Sequence, residues 1–509
     1  GSASQNTAVG GNAFDSITTG FANVAVGFVA GGGLTTGNYN IAIGQETLAA
    51  TTTASNNIAV GHNALNANTT GAQNTAIGRA ALLKNTTASY NVAVGYYALE
   101  DTTTGANNVA VGSFALEGNT ASNNTAVGDV ALRVNTTGAD NTAVGKGSLG
   151  ANTTASNNTA IGYNSLLLNT TGTGNSALGR QALDANTTGD YNTALGLNAL
   201  SANTTADDNT AVGTNSLLSN TDGHSNVAVG AYALDANTTA DENVAVGKNA
   251  LGALTTGSYH TAIGFGALKT VTTGQQLVAV GRLALGLNTT GSQNTACGYQ
   301  ASYNNTTGSS NTAMGYSALY SVTTGDNNTG FGRDTLYFTT TGSDNTAIGN
   351  EALENNTASN NTAVGSHAMT ANTSGTNNTA LGLNALKANT TGSTNTALGV
   401  SALTANTTAS ENIAIGHNAL DSNTTGANNI AIGVAAMDGS TGASANYAIG
   451  NYTMRNLTTG SANYAFGQNA AQNLTTGNRN IAIGKNALFT GTVTHDNVCI
   501  GEQAGYGLT

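Results

Sequence analysis

Six histidines, two cysteines and several adjacent acid pairs are the side chains of this 509-residue chain best suited to metal, nucleophilic or acid–base chemistry. His62, His224, His260, His367, His417 and His495 fall at four different phases of a 17-residue repeat, so they cannot gather with carboxylates at metal-ligand spacing. No Ser-His-Asp or Cys-His set is suggested. Asp207–Asp208 and Asp241–Glu242 sit in corner segments and read as solvated charge rather than a general acid and base. Cys297 and Cys499 are about twelve repeats apart, about 58 Å at one strand spacing per repeat, far outside disulfide reach. Both are expected to be free, buried thiols. Glycine is abundant, but no helix follows it as a phosphate loop requires, and the recurring Asp of calcium-binding repeats is missing. The chemistry expected is therefore none: no catalytic residue, no cofactor and no metal.

Two weaker binding chemistries remain. Tyr39, Tyr90, Tyr191 and Tyr259 share one phase of the repeat and could stack weakly on sugars. The recurrent Asn-Thr-Thr triplets could order water at ice, or accept N-linked glycans. Adjacent threonines on a strand point to opposite sides, and the triplets recur because a corner recurs, so both uses yield to a structural one.

The element that positions all these residues is the repeat. A glycine recurs from Gly10 and Gly27 to Gly484 and Gly501, thirty times. Its spacing is 17 residues except for two steps of 16, Gly112–Gly128 and Gly349–Gly365. With the glycine at position 5, position 1 is Asn in 28 of 30 repeats, the exceptions being His260 and Leu277. Position 3 is Ala in 28 of 30, position 4 is apolar, position 8 is small, position 9 is usually Leu, and positions 12 to 15 mostly read Asn-Thr-Thr-Gly or Asn-Thr-Thr-Ala. Columns repeated so often are architecture rather than a site.

The segment Asn-(Thr/Val/Ile)-Ala-(Val/Ile/Leu)-Gly predicts a short strand. A second extended segment is expected over positions 7 to 10, and Asn-Thr-Thr-Gly supplies turn chemistry. Two short strands and two corners make one coil of an all-β parallel β-solenoid. About thirty such turns form a single continuous array over 1–509, about 145 Å long at one strand spacing per turn. In-register stacking should place the position-1 asparagines in a hydrogen-bonded ladder. The two 16-residue repeats each lose one Thr of the corner, as a surface loop allows. Arg79, Lys146, Arg180, Lys248, Arg282, Arg333 and Lys485 occupy position 6, and acids cluster at positions 10, 16 and 17, so all these positions are expected to face water.

Positions 1, 3 and 5 of the strand are Asn, Ala and Gly, fit for a narrow interior; positions 2 and 4 then point outward carrying Thr, Val, Ile and Leu. A strand face this apolar calls for a cover, and a homotrimer is expected to supply it. The net charge of −12 is thinly spread without a basic patch, which argues against nucleic acid. No apolar run reaches 18 residues, so membrane insertion of this segment is not expected. Both ends fall in mid-repeat, as in an excerpt of a longer fibre.

Val-Ala-Val-Gly-x-x-Ala-Leu, at Val227–Leu234 and in kindred form at Ile413–Leu420, resembles the YadA-type head repeats of trimeric autotransporter adhesins. Asn-Thr-Thr-Gly corners are similar to those of tail-fibre-like β-roll proteins, and Asn497–Thr509 looks like the repeats that precede a chaperone domain in such fibres. The resemblance covers essentially the whole chain. It implies a left-handed parallel β-roll, trimeric about a long axis, at a cell surface or on a virion, with a host-surface protein or glycan as receptor. The period departs from that family by the longer Asn-Thr-Thr corner, and no ligand residue carries over. The rival expectation is a monomeric ice-binding or glycan-binding solenoid.

Overall fold

The computed structural model describes residues 3–508. It is an all-β parallel β-solenoid of about 29 turns with 17-residue coils and, among the described residues, no helix. Thirty three-residue strands run from β1 (Thr7–Val9) to β30 (Val498–Ile500). The chain divides into two compact units, 1–258 and 259–509. The first holds β1 to β15 (Val244–Val246), each paired in parallel with the next in register, as Thr7 with Val24. The second holds β16 (Thr261–Ile263) to β30, stacked in the same way, as Ile413 with Ile430.

One coil, Asn412 to Asn428, shows how the sequence closes on itself. Ile413–Ile415 is the strand, and a β-branched pair about a small residue suits that extended backbone. Gly416 follows at φ 134°, where an L side chain is strained, and a Cβ there would lie 2.7 Å from the Gly433 carbonyl carbon of the next coil. The marker glycine is thus fixed twice, by its own torsion and by its neighbour's backbone.

Among the described residues the expected second strand over positions 7 to 10 is absent. Residues 417–422 form a run of turns instead, with Asn418 at φ 55° and Leu420 at φ 53°. Short i to i+3 bonds, Ala419 N–H to Gly416 carbonyl at 3.3 Å and Asn423 N–H to Leu420 carbonyl at 3.2 Å, tighten the curve. The two left-handed residues send their N–H groups to opposite neighbours, Asn418 to the Val400 carbonyl and Leu420 to the Ala436 carbonyl. Turning and stacking are satisfied together, which a flat strand at this place could not do.

The core is one side chain thick. Ala414, Ala419 and Leu420 are fully buried, as are their counterparts in both units away from the chain ends. Each Leu of position 9 contributes about 2 kcal/mol by burial. The remaining interior is polar and largely hydrogen-bonded, although Asn85 Oδ1, Asn305 Oδ1 and Asn423 Oδ1 are buried without a partner among the described residues. In the first unit Asn192 accepts the Asn209 N–H on its Oδ1 at 3.0 Å and donates Nδ2 to the Ala206 carbonyl at 2.8 Å. In the second, Asn412 does the same with the Asn429 N–H at 3.0 Å and the Gly426 carbonyl at 2.9 Å. The expected ladder is present, and it works by capping backbone groups.

A second ladder was not anticipated. The position-12 asparagines, first in the Asn-Thr-Thr corner, are buried too: Asn203 donates to Asn186 Oδ1 at 3.0 Å and to the Ala206 carbonyl at 3.0 Å. The 16-residue coils keep both ladders. Asn124 N–H reaches Asn108 Oδ1 at 2.9 Å and Asn135 reaches Asn119 Oδ1 at 2.7 Å, each across 16 residues. The residue omitted is the second, exposed Thr, so the register of every buried column survives.

Candidate interaction surface

The strand that buries Ala at position 3 must turn positions 2 and 4 outward, because successive side chains alternate across a strand. Ile43, Ile77, Ile161, Leu178 and Leu195 of the first unit are exposed there, as are Ile263, Phe331, Leu381, Phe466 and Ile483 of the second. Position 2 adds Thr, Val and Ile, with Tyr447 and Tyr464 stacked ring on ring at 5.0 Å. No charged residue occupies position 2 or 4 in any coil. Each unit therefore carries an uncharged, largely apolar strip two side chains wide. Contiguous exposed apolar surface of this kind marks an interaction face.

The tyrosines expected to contact glycans are exposed, but the structure does not assemble them. Tyr39 and Tyr90 are three coils apart and Tyr191 six further on, about 14 Å and about 29 Å at one strand spacing per coil. Tyr259 belongs to the second unit. Tyr39 packs edge-on to Phe21 at 5.1 Å, and the Tyr191 ring lies over Gly174 in its own column. They are separate surface rings, not one subsite.

The corner threonines are already engaged. Position-13 hydroxyls donate to the carbonyl of the next coil's position 13, as Thr187 to Thr204 at 3.0 Å and Thr390 to Thr407 at 2.9 Å. The position-14 threonines, such as Thr425, stand exposed, and so do some of position 13, such as Thr136 and Thr441. The asparagines of these triplets are buried with their amides hydrogen-bonded, so the folded chain offers no glycan acceptor at them.

The acids divide by column. At position 16 they cap backbone: Asp207 Oδ1 accepts the Asp190 N–H at 2.7 Å, His224 Nδ1 accepts the Asp207 N–H at 2.9 Å, and Asp241 Oδ1 accepts the His224 N–H at 2.7 Å. Ser, Asn and His replace Asp there because each offers an acceptor, a signal present in the sequence and missed. Position 10 was expected to face water and does not do so fully. Burial is the first cause holding the Glu100, Asp184, Asp235, Glu354 and Asp421 carboxyls above the usual carboxylate range. Position 6 is exposed, with Arg282 between the Phe265 and Tyr299 rings at 5.7 and 5.5 Å.

His260, standing at position 1, does an asparagine's work. Its Nδ1 accepts the Leu277 N–H at 3.2 Å, and its imidazole hydrogen-bonds the Gly274 carbonyl. Burial pushes its pKa down from 6.5 to about 4, against the pull of that carbonyl. Neutral imidazole fits, since one nitrogen accepts while the other donates. Both thiols are free, and Cys499 is buried as expected; Cys297 is only half-buried, because its position 4 points outward. Among the described residues no group of three or more His, Cys, Asp or Glu side chains could hold a metal ion, and no helix is long and apolar enough to cross a membrane. No protein-family model matches the chain, and no curated protein matches it.

Proposed function

We propose that this chain is a non-catalytic structural and adhesive rod, assembled as a homotrimer in which the strips of positions 2 and 4 cover one another. The observation that carries this reading is the strip itself: uncharged in every coil, and formed by the outward face of a strand whose inward face is already packed with Ala and Asn. Each short outward side chain is worth little alone, but regular repetition sums small burials into a lasting interface. A stiff solenoid then holds an attachment point away from a surface and presents weak contacts many times along its flank, where multivalency multiplies them. We place such a rod outside the cell or on a virion, with a host-surface protein or glycan as receptor.

Sedimentation tests the assembly. A mass near three times 50.2 kDa is expected, and a mass near one chain would overturn the trimer. Glu in place of outward residues on adjacent coils, Ile415→Glu with Ile432→Glu, should drive the assembly toward single chains, while its parallel β circular dichroism persists. A single-chain mass joined to thermal hysteresis on freezing would move the assignment to an ice-binding solenoid using the exposed position-14 threonines.

A further inference from the structure

Within the second unit two stacks of tyrosine rings run side by side. At position 6, Tyr299 and Tyr316 stack at 5.2 Å with planes 9° apart; at position 10, Tyr303, Tyr320 and Tyr337 stack at 5.7 and 5.0 Å. Tyr316 of the first stack and Tyr320 and Tyr337 of the second line a groove of about 280 Å³, together with Gln300. Ser317, Asp334 and Glu354 line it as well, and Glu354 follows Tyr337 in the position-10 column.

The charge at that end is unbalanced. Arg333 is engaged by Asp334 at 2.8 Å, and His367 by Glu351 at 3.1 Å. Glu354 has no ion-pair partner among the described residues, and its carboxyl is raised above the usual range by burial first and then by Glu351 and Asp334, against a smaller opposing pull from His367 and Arg333. The Tyr337 hydroxyl is raised as well, by burial first and then by Tyr320 and Asp334. Burial leads both shifts, and the neighbouring acids add to it a negative potential that a bound cation would relieve. A bare metal ion is a poor fit, because no cluster of three ligating side chains exists among the described residues. Aromatic walls beside a carboxylate instead suit an organic cation, with its apolar part along the rings and its charge near the acid. The volume lies at the lower end of ligand pockets, so the cation must be small.

We propose that this groove binds a primary alkylammonium ion, its ammonium on the Glu354 carboxylate and its alkyl part against Tyr320 and Tyr337. A neutral sugar of the same size could use the rings but would leave the carboxylate unanswered.

The test uses the full chain and n-butylammonium chloride at low ionic strength, read by calorimetry and saturation-transfer NMR, with 1-butanol and glucose as neutral probes. Saturable binding at one site per chain is expected, weakened about tenfold by Glu354→Gln, a loss of roughly one pK unit of interaction. Asp421→Asn should leave it unchanged, since that acid shares the column but has no tyrosine stack beside it. If Glu354→Gln disturbs folding, the wild-type pH profile serves instead: affinity should fall as pH drops through the raised Glu354 carboxyl. Absence of saturable binding, equal loss in both variants, a pH-independent affinity, or neutral probes binding as tightly would each overturn the assignment.

Discussion

The two buried asparagine columns differ in one respect that explains their different tolerance. Position 12 accepts Leu34, Thr51, Leu254, Val271, Val322 and Leu474, whereas position 1 departs from Asn only at His260 and Leu277. Asn192, at position 1, supplies the acceptor for a backbone N–H of the next coil. Asn203, at position 12, donates to a side chain and to the Ala206 carbonyl, which Asn192 Nδ2 also serves. Removing the first leaves a buried backbone donor unpaired; removing the second leaves no backbone group without a partner. The penalty for an orphaned buried group far exceeds the net gain from a made bond, so only the column that caps an N–H is held nearly constant.

Four changes would break or sharpen this contrast. Asn192→Ala should cost most, about 3–4 kcal/mol from an orphaned donor plus a cavity, read as faster hydrogen exchange in the flanking coils. Next comes acid. His260 has its folded pKa below the unfolded value, so the unfolded chain binds more protons between the two. Its contribution is intact above pH 6.5 and is lost as pH falls toward about 4. At about 1.4 kcal/mol per unit this is a loss of about 3 kcal/mol in the second unit, and His260→Asn should flatten that part of the pH–stability curve. Asn203→Leu should cost well below Asn192→Ala, about 1 kcal/mol in the same hydrogen-exchange assay. The Ala206 carbonyl keeps Asn192 Nδ2, and only a side-chain acceptor, Asn186 Oδ1, loses its donor, as those of Asn85, Asn305 and Asn423 already lack one. A loss equal to that of Asn192→Ala would refute the backbone-capping account. Deleting Thr205, the exposed second Thr of its corner, should cost within about 1 kcal/mol, because two natural coils already lack that residue.

Much of this architecture could be read from the residues, because a stack in register converts linear period directly into spatial columns. The strand, its inward Ala and outward Val or Ile, the marker glycine and the position-1 ladder all follow from the 17-residue spacing. The run of turns did not follow. Leu420 and its equivalents sit at positive φ, where leucine has no intrinsic preference, so neighbouring coils impose the conformation. The frequent Asn of position 7, such as Asn198 and Asn418, tolerates that region and was the available clue. Position 12 was hidden because Asn-Thr-Thr-Gly suits any turn, buried or not. The paired tyrosine stacks were hidden because a period shows which residues share a column but not which two columns face one groove.

Since most buried side chains are packed or hydrogen-bonded by counterparts one coil above and one below, a coil holds little information about its place in the series. A typical coil could be excised or copied with little repacking, and the cut ends would rejoin on matching glycines and amides. Length in such a molecule can therefore drift by recombination among near-identical segments, while the differences that matter to other molecules are written only on the outward side chains.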